Sequence, residues 1–262
     1  MLSTLEDIAL QTPRPAALSL PPTPLGRVAP ETLHPSLWLG HQLGRNNHAV
    51  VASGFASLDI ELPGGGWPRR CLTELLLPHP GIGEMRLVAP ALAMARTRVV
   101  MLFDPPLQMS ASVLASFGFD LEHVIVVNTG AGLIAGKDCF WALEQTLKCG
   151  HVGAVLAWLP PRLRAERLRR LQLAAHNHDG VAFVVRELTS ADQPSAAPLR
   201  LALRAGGADR LQVEVIKRRG PPLLEPLTLE LSNVLSAAAT RRSGHASTAT
   251  PPAIAASVSS IR

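Results

Sequence analysis

The sequence predicts an α/β fold whose central, mostly parallel sheet finishes in antiparallel strands. Short apolar runs alternate with helical patterns from Val51 onwards, as in a parallel sheet covered by helices. The run Leu72–Leu77 has the continuous apolar character of a strand buried on both faces. The last segments are shorter and glycine pairs separate them, which favours antiparallel hairpins. A hydrophobic content of 47% with only 17% charged residues agrees with a folded core.

Eight strands are predicted from apolar runs that lie between turn-forming residues. In chain order they are Leu72–Leu77, Arg98–Phe103, Val124–Val127, Val152–Trp158, Val181–Arg186, Leu199–Arg204, Leu211–Ile216 and Leu227–Leu231. We expect the last three to pair antiparallel with one another.

Four helices are expected between these strands. They are Glu84–Arg96, Ser110–Phe117, a helix that Asp138 caps, and an Arg-rich helix that Pro160 and Pro161 open. Pro90 should kink or shorten the first. Two of the helices carry an apolar stripe at helical spacing: Phe140, Leu143 and Leu147 on one, and Leu168, Leu171 and Ala175 on the other.

The chain divides into four parts by composition. Residues 1–30 are a Pro-rich tail, residues 31–49 a short helical lead-in, residues 50–235 the α/β domain, and residues 236–262 a low-complexity tail that we expect to be disordered. No apolar run reaches the roughly 18 residues that span a bilayer, and the N-terminus has no signal-peptide pattern. Three cysteines without metal-ligand spacing predict reduced core thiols in a cytoplasmic protein: Cys71, Cys139 and Cys149.

A glycine-rich turn, a buried strand, a Pro/Gly loop and a helix follow one another between residues 64 and 95. This is the order in which phosphate-binding P-loops are built. A working loop follows the pattern GxxxxGK(S/T). Here Pro78 replaces the first glycine, Glu84 the lysine and Met85 the hydroxyl residue, while Gly81 and Gly83 remain. The loop is therefore predicted to be degenerate, with no bound cofactor.

The acid at position 84 has two consequences. A carboxylate about 5 Å from a phosphate charge costs roughly 3 kcal/mol at an effective dielectric near 20, so nucleotide affinity should fall by orders of magnitude. The same carboxylate complements the dipole of the helix that begins at Glu84. It should take the place that the loop would otherwise offer to an anion.

Several motifs around this loop resemble the opening of the RecA core. They are Gly54-x-x-x-Leu58-Asp59, Gly64-Gly65-Gly66-x-Pro68 and Leu72-Thr73-Glu74-Leu75. The resemblance extends from about Val50 to Leu231. Among RecA-like proteins, the ImuA family is the one that the segment ELPGGGWPRRCLTELLLPHPGIGEMRLVAPALA resembles most. This family is often labelled SulA-like cell division inhibitor.

The ImuA resemblance implies a damage-inducible (SOS) accessory protein of translesion DNA synthesis. Its expected partners are the Y-family-like protein ImuB, RecA, and, indirectly, an error-prone polymerase III alpha-type subunit. Alignment with RecA places Pro106 where the water-activating Glu would stand and Trp158 where the Mg²⁺-linked Asp would stand. Neither side chain can do that chemistry. The resemblance therefore implies a pseudo-ATPase rather than an enzyme.

Two cations have counterparts in the resemblance. Lys217 and Arg219 stand where RecA places residues that reach the neighbouring subunit's γ-phosphate. We hypothesise that the chain docks on an ATP-bound RecA protomer and contributes cations in trans. The alternative is that Lys-Arg-Arg is the exposed end of a strand.

The Arg-rich helix from Arg162 to Arg170, which includes Arg169, is a second candidate surface. It could bind an acidic partner or make a weak DNA contact, or it could be a solvated face. Strong DNA binding is not expected, because no aromatic residues lie between the arginines to stack bases. No spacing of His, Cys or acidic residues predicts a metal or catalytic site. A residual ATP-binding regulator and an inhibitor of cell division remain alternative functions.

Overall fold

The computed structural model describes residues 49–95, 98–129, 136–160, 162–220, 222–223 and 225–232. The sheet has eight strands: β3 (Leu72–Leu77), β4 (Val99–Phe103), β5 (Val124–Val127), β6 (Val152–Trp158), β7 (Val181–Glu187), β8 (Leu199–Ala205), β9 (Arg210–Lys217) and β10 (Leu227–Glu230). A separate two-stranded sheet pairs β1 (Val50–Val51) with β2 (Trp67–Pro68). The helices are α1 (Ala56–Glu61), α2 (Glu84–Ala93), α3 (Ala111–Ser116), α4 (Gly136–Lys148) and α5 (Ala165–Ala175).

The strand order β10-β9-β8-β3-β7-β6-β4-β5 places β3 near the middle of the sheet. The six strands from β8 to β5 are parallel, so all of them end at one side of the sheet, which we call the carboxyl edge. The opposite side, where they begin, is the amino edge. Helices α2 to α5 connect successive parallel strands from β3 to β7, and ligands of such sheets bind at the carboxyl edge. The fold is therefore an α/β sheet of mostly parallel strands flanked by helices.

Two apolar clusters fill the two faces of the sheet. On one face Leu87 and Leu92 of α2 pack on alternate residues of β3, β6 and β7. On the other face Leu143 of α4 and Leu171 of α5 pack on the residues in between. The period-two alternation of the strands and the stripes of the helices explain this division. Phe183 joins the first cluster edge-on to Trp67, with 5.0 Å between ring centroids.

The strand predictions are confirmed at their centres. Leu72–Leu77, Val124–Val127 and Val152–Trp158 have the predicted bounds. Four others differ by one residue at one end, and β9 extends the predicted Leu211–Ile216 by one residue at each end. Most helices are shorter than predicted. The first ends at Ala93 and contains Pro90, the Arg-rich one begins at Ala165 after its two prolines, and Asp138 lies in the first turn of α4 instead of capping it. Both predicted stripes face the core.

One pairing prediction is wrong. β8 is parallel to β3, and antiparallel pairing begins only with β9. A parallel neighbour is reached because the chain between β7 and β8 crosses back along the sheet through a short 3-10 turn at Leu188–Ser190. The sequence patterns of β8 and β9 indicate the hairpin turn that joins them. They do not indicate that β8 pairs with β3 on its other side. The predicted tails and the helical lead-in (residues 1–30, 31–48 and 236–262) lie outside the described residues.

No helix within the described residues is long and apolar enough to cross a membrane. The prediction of core thiols is wrong for one cysteine. Cys71 is buried and Cys139 half-buried, but Cys149 is exposed just after α4. The loop after a helix end is a surface position, which the sequence spacing of cysteines does not reveal.

Burial raises the pKa of the Cys71 thiol to about 11, and burial with the neighbouring Asp104 carboxylate raises that of Cys139 to about 11. At pH 8 about one in a thousand of these thiols is then ionised, and the thiolate is the reactive form. We expect iodoacetamide to alkylate Cys149 first and the other two only on unfolding. Peptide mass spectrometry over time measures the order, and equal rates at Cys71 and Cys149 would contradict it.

Candidate functional site

In the loop between β3 and α2, two backbone N–H groups donate hydrogen bonds to an acidic side chain at the end of the same loop. Glu84, the first residue of α2, is only 3% exposed. Its Oε1 accepts a hydrogen bond from the Gly81 N–H at 2.8 Å and its Oε2 one from the Gly83 N–H at 3.2 Å. Both glycines have positive φ, 88° and 123°, which lets their N–H groups turn towards one point. The carboxylate thus sits where loop N–H groups and a helix N-terminus converge, the usual place for an anion.

The far end of the sheet packs on the same loop. A Cβ on Gly83 would lie 2.6 Å from the Leu231 side chain, just after β10. Arg86 of α2 donates to Asp209 Oδ1 at 2.6 Å and to the Leu231 carbonyl at 3.1 Å. These contacts join α2 to the β8–β9 turn and to the end of β10. The loop is therefore held from both sides, by Glu84 and by the last strands.

A cavity of about 610 Å³ lies at the carboxyl edge beside the loop. Its walls are mostly apolar. They bring together three positions that the resemblance to RecA identifies as replaced, Pro78, Pro106 and Trp158. Arg186 and Glu187 from the end of β7 also line it. The structure thus places the Pro/Gly loop and the two positions that the resemblance aligns with catalytic residues around one space, while Glu84 faces the loop backbone.

Asp104, which directly follows β4, is one of two acidic residues that line this cavity in the described part of the chain. Its φ is 48°, an unusual value for a non-glycine residue. Its carboxylate accepts the N–H and the hydroxyl of Thr129, both at 2.5 Å, and the thiol of Cys139 at 3.4 Å. The side chain therefore ties the ends of β4 and β5 to α4. Its oxygens are occupied by protein donors.

A charged cluster is buried beneath the cavity. Glu74 of β3 is fully buried and lies between two arginines, with 2.8 Å to Arg186 of β7 and 2.6 Å to Arg200 of β8. Arg186 also reaches Gln193, and Arg200 donates to the carbonyls of Ser190 and Ala191. The cluster connects the two strands that flank β3 with the turn after β7.

The Lys-Arg-Arg segment lies at the amino edge, opposite the loop. Lys217 ends β9, is exposed, and donates to the Ser195 carbonyl at 2.9 Å. Arg218 donates to the Glu61 carboxylate at 2.9 Å, which fastens the segment to the end of α1. Arg219 is also exposed and acts electrostatically on Cys71. The two proposed trans cations therefore flank an arginine that the chain itself uses.

The Arg-rich helix is a mixed surface rather than a uniform row of cations. Arg162 and Arg169 are exposed. Arg167 stacks over the Phe140 ring of α4 at 4.7 Å, and Arg170 pairs with Glu144 at 2.7 Å. Part of the basic face is thus used to join α5 to α4. Within the described ranges no group of His, Cys or acidic residues is arranged to hold a metal ion.

Sequence interpretation missed the charged clusters. The signal was present: Glu74, Arg186 and Arg200 are charges inside or at the end of apolar strands, and buried charges must be paired. The contacts of Arg86 with the chain after β10 had no such signal, because 123 positions separate Arg86 from Asp209.

No protein-family model matches the chain. The chain is similar to protein RecA of Symbiobacterium thermophilum, with 24% identity over 199 residues. This match covers 67% of the chain and 57% of that RecA, so the chain spans little more than half of the relative's length. Together with the mostly parallel sheet and its flanking helices, this similarity supports a distant relative of RecA with a RecA-like α/β core.

Proposed function

We propose that the chain is a non-catalytic, RecA-like accessory protein of SOS-induced translesion DNA synthesis. It acts by protein–protein contacts with RecA, an ImuB-like Y-family protein, or both, in an error-prone polymerase assembly. The observation that carries the non-catalytic part is the Glu84 carboxylate on the Gly81 and Gly83 N–H groups. The motif resemblance to the ImuA family carries the translesion part.

Glu84 argues against a nucleotide in this loop for two physical reasons. Its oxygens already take the donors that a phosphate would need. Its negative charge also repels a phosphate by roughly 3 kcal/mol at about 5 Å. No lysine or hydroxyl residue follows Gly83 to bind phosphate or Mg²⁺.

The apolar walls of the cavity agree with a contact role. Pro106 and Trp158 cannot activate water or bind Mg²⁺, and both line the space beside the loop. A pocket with such walls holds an apolar group better than a triphosphate with its counter-ions. The fold then serves as a scaffold for docking.

The position of Lys217 and Arg219 supports contact with an ATP-bound neighbour. They lie at the amino edge, whereas the loop of this chain lies at the carboxyl edge. Two RecA-like domains stacked in the same direction bring the amino side of one towards the carboxyl side of the next. Cations placed there would meet the neighbour's phosphates rather than the chain's own loop.

Replacing Lys217 and Arg219 by Ala should weaken association with ATP-bound RecA by at least about tenfold, because two charge-assisted contacts to phosphate are lost. Surface plasmon resonance with ATP or ADP present measures it, and the wild-type preference for ATP should disappear. The matched control is Arg204→Ala with Arg210→Ala, two exposed cations of the β8–β9 hairpin. Unchanged binding of the Lys217 and Arg219 variant would contradict the hypothesis that these cations act in trans.

Association with the polymerase assembly has its own test. The full chain and a version that ends at Asn233 are purified with an ImuB-like protein and RecA and analysed by size-exclusion chromatography with light scattering. We expect a complex with at least one of the two. If neither protein binds the full chain, the adaptor function fails.

The competing function is a residual ATP-binding regulator. A cavity of about 610 Å³ at the carboxyl edge, beside the loop, favours this alternative. A labelled ATP analogue that bound the wild-type chain with micromolar affinity would support it over the proposal.

A further inference from the structure

Three arginines surround one aspartate at the amino edge of the sheet. Arg69 and Arg70 precede β3, Arg98 precedes β4, and Asp179 precedes β7. Their guanidinium nitrogens lie 3.8, 3.9 and 3.9 Å from the Asp179 carboxylate oxygens. These are ion-pair distances that are too long for hydrogen bonds. One carboxylate therefore faces three cations, and its oxygens do not take up their N–H groups.

A pocket of about 230 Å³ opens between these side chains. Arg69, Arg98 and Asp179 form its charged wall. Its apolar lining comes from β1, from the start of β7 and from the end of α2, where Met94 is 65% exposed. The volume suits one or two side chains. A pocket with a cationic wall beside an apolar one matches a group that is anionic at one end and apolar at the other.

The Nε–H of Arg69 gives a second, independent indication of a ligand. This atom is buried and has no acceptor among the described residues. A buried donor without an acceptor costs free energy until a partner arrives. The arginine fork is also the donor geometry that fits a carboxylate with two hydrogen bonds.

We propose that this arginine pocket (Arg69, Arg70, Arg98 and Asp179, with Met94) binds a segment of a partner protein in which an acidic residue stands next to an apolar one. The carboxylate enters between the guanidiniums of Arg69 and Arg98, and the apolar side chain rests on Met94. A protein segment fits better than a nucleic acid, because none of the described residues that line the pocket is aromatic and could stack a base.

This proposal depends on the proposed function in one respect only, namely that the chain binds a protein partner. It is separate from the Lys217 and Arg219 contact and from the loop. If the pocket fails its test while RecA still binds through Lys217 and Arg219, the adaptor function stands without it. If the pocket passes while RecA and ImuB-like proteins do not bind, the surface stands and the partner assignment falls.

The probe is a fluorescein-labelled peptide in which Asp and Leu alternate, measured by fluorescence anisotropy with the full chain. We expect binding that weakens at least about tenfold when the peptide's Asp residues become Asn, because the charge-assisted contacts are lost. An Asp–Ser peptide of the same charge should also bind more weakly, since it lacks the apolar group. Equal binding of a duplex DNA probe in competition would overturn the assignment to protein.

Two variants test the residues. Arg69→Ala with Arg98→Ala should reduce peptide affinity by at least about tenfold, while Arg204→Ala with Arg210→Ala should not. Alanine keeps the Arg98 Cβ, which lies so close to Gly153 that a Cβ added to that glycine would be 2.7 Å from it. Asp179→Asn should instead increase affinity several-fold, because the internal carboxylate no longer competes for the arginines. A loss of affinity in Asp179→Asn, or none in the double variant, would overturn the pocket.

Discussion

Glu74→Ala is expected to lower the free energy of unfolding by ~3–5 kcal/mol, because it leaves two buried arginines without their anion. The Glu74 carboxylate is 2.8 Å from Arg186 and 2.6 Å from Arg200, and none of its surface is exposed. Urea unfolding followed by circular dichroism measures the change. A loss of this size is a large fraction of the stability of an ordinary domain, so we expect the variant to be recovered only at low temperature.

Variants that leave different numbers of unpaired charges in the cluster test this prediction further. Arg200→Met leaves the Glu74–Arg186 pair with one charge of each sign, so we expect a smaller loss than in Glu74→Ala. Removing all three charges together, with Glu74→Leu, Arg186→Met and Arg200→Met, should recover most of the lost stability, since apolar replacements of buried ion networks are often neutral or stabilising.

These variants also separate charge from packing. If Glu74→Ala costs mainly the lost volume of the side chain, Glu74→Leu alone should recover as much stability as the triple variant, because leucine refills the space. A Glu74→Ala variant that loses less than about 1 kcal/mol, or a triple variant no more stable than it, would contradict the role of the uncompensated charge.

The sequence was sufficient for the strands because each is a short apolar run with glycine or proline beside it. Leu72–Leu77 and Val152–Trp158 are buried on both faces, and no other element of such length and composition fits them. Helix ends are harder to predict from the sequence. Pro160 and Pro161 predict the start of a helix, whereas α5 begins at Ala165. Local propensity locates an element, while the packing of α5 on the sheet decides its first turn.

The site was predictable where chemistry is local and unpredictable where it is long-range. Glu84 is adjacent in sequence to Gly83 and three residues from Gly81, so its return to the loop backbone follows from the helix start. Asp179 meets three arginines that lie at least 81 positions earlier. Such contacts depend on the order of the strands in the sheet. No single segment of the sequence determines the order of β3, β7, β6 and β4.

Removing the Glu84 carboxylate is expected to turn the loop into an anion site. In Glu84→Ala the N–H groups of Gly81 and Gly83 lose their acceptor and stay at the N-terminus of α2. The roughly 3 kcal/mol of repulsion towards a phosphate also disappears, which corresponds to more than about a hundredfold in affinity. Pyrophosphate binding, measured by isothermal titration calorimetry, should be undetectable in the wild-type chain and measurable in the variant.

Glu84→Lys with Met85→Thr extends this test to nucleotides, because it restores the cation and hydroxyl that bind phosphate and Mg²⁺. We expect a labelled ATP analogue to bind this variant and not the wild-type chain. We expect no hydrolysis, since neither Pro106 nor Trp158, which the resemblance to RecA aligns with the catalytic acids, can activate water or bind Mg²⁺. Glu187→Lys is the matched control, because it reverses a charge that lines the same cavity but does not contact the loop glycines. If that control binds the analogue equally well, general charge rather than the loop explains the gain. Tight binding by the wild-type chain would instead show that Glu84 leaves the loop, and the non-catalytic interpretation would lose its main support.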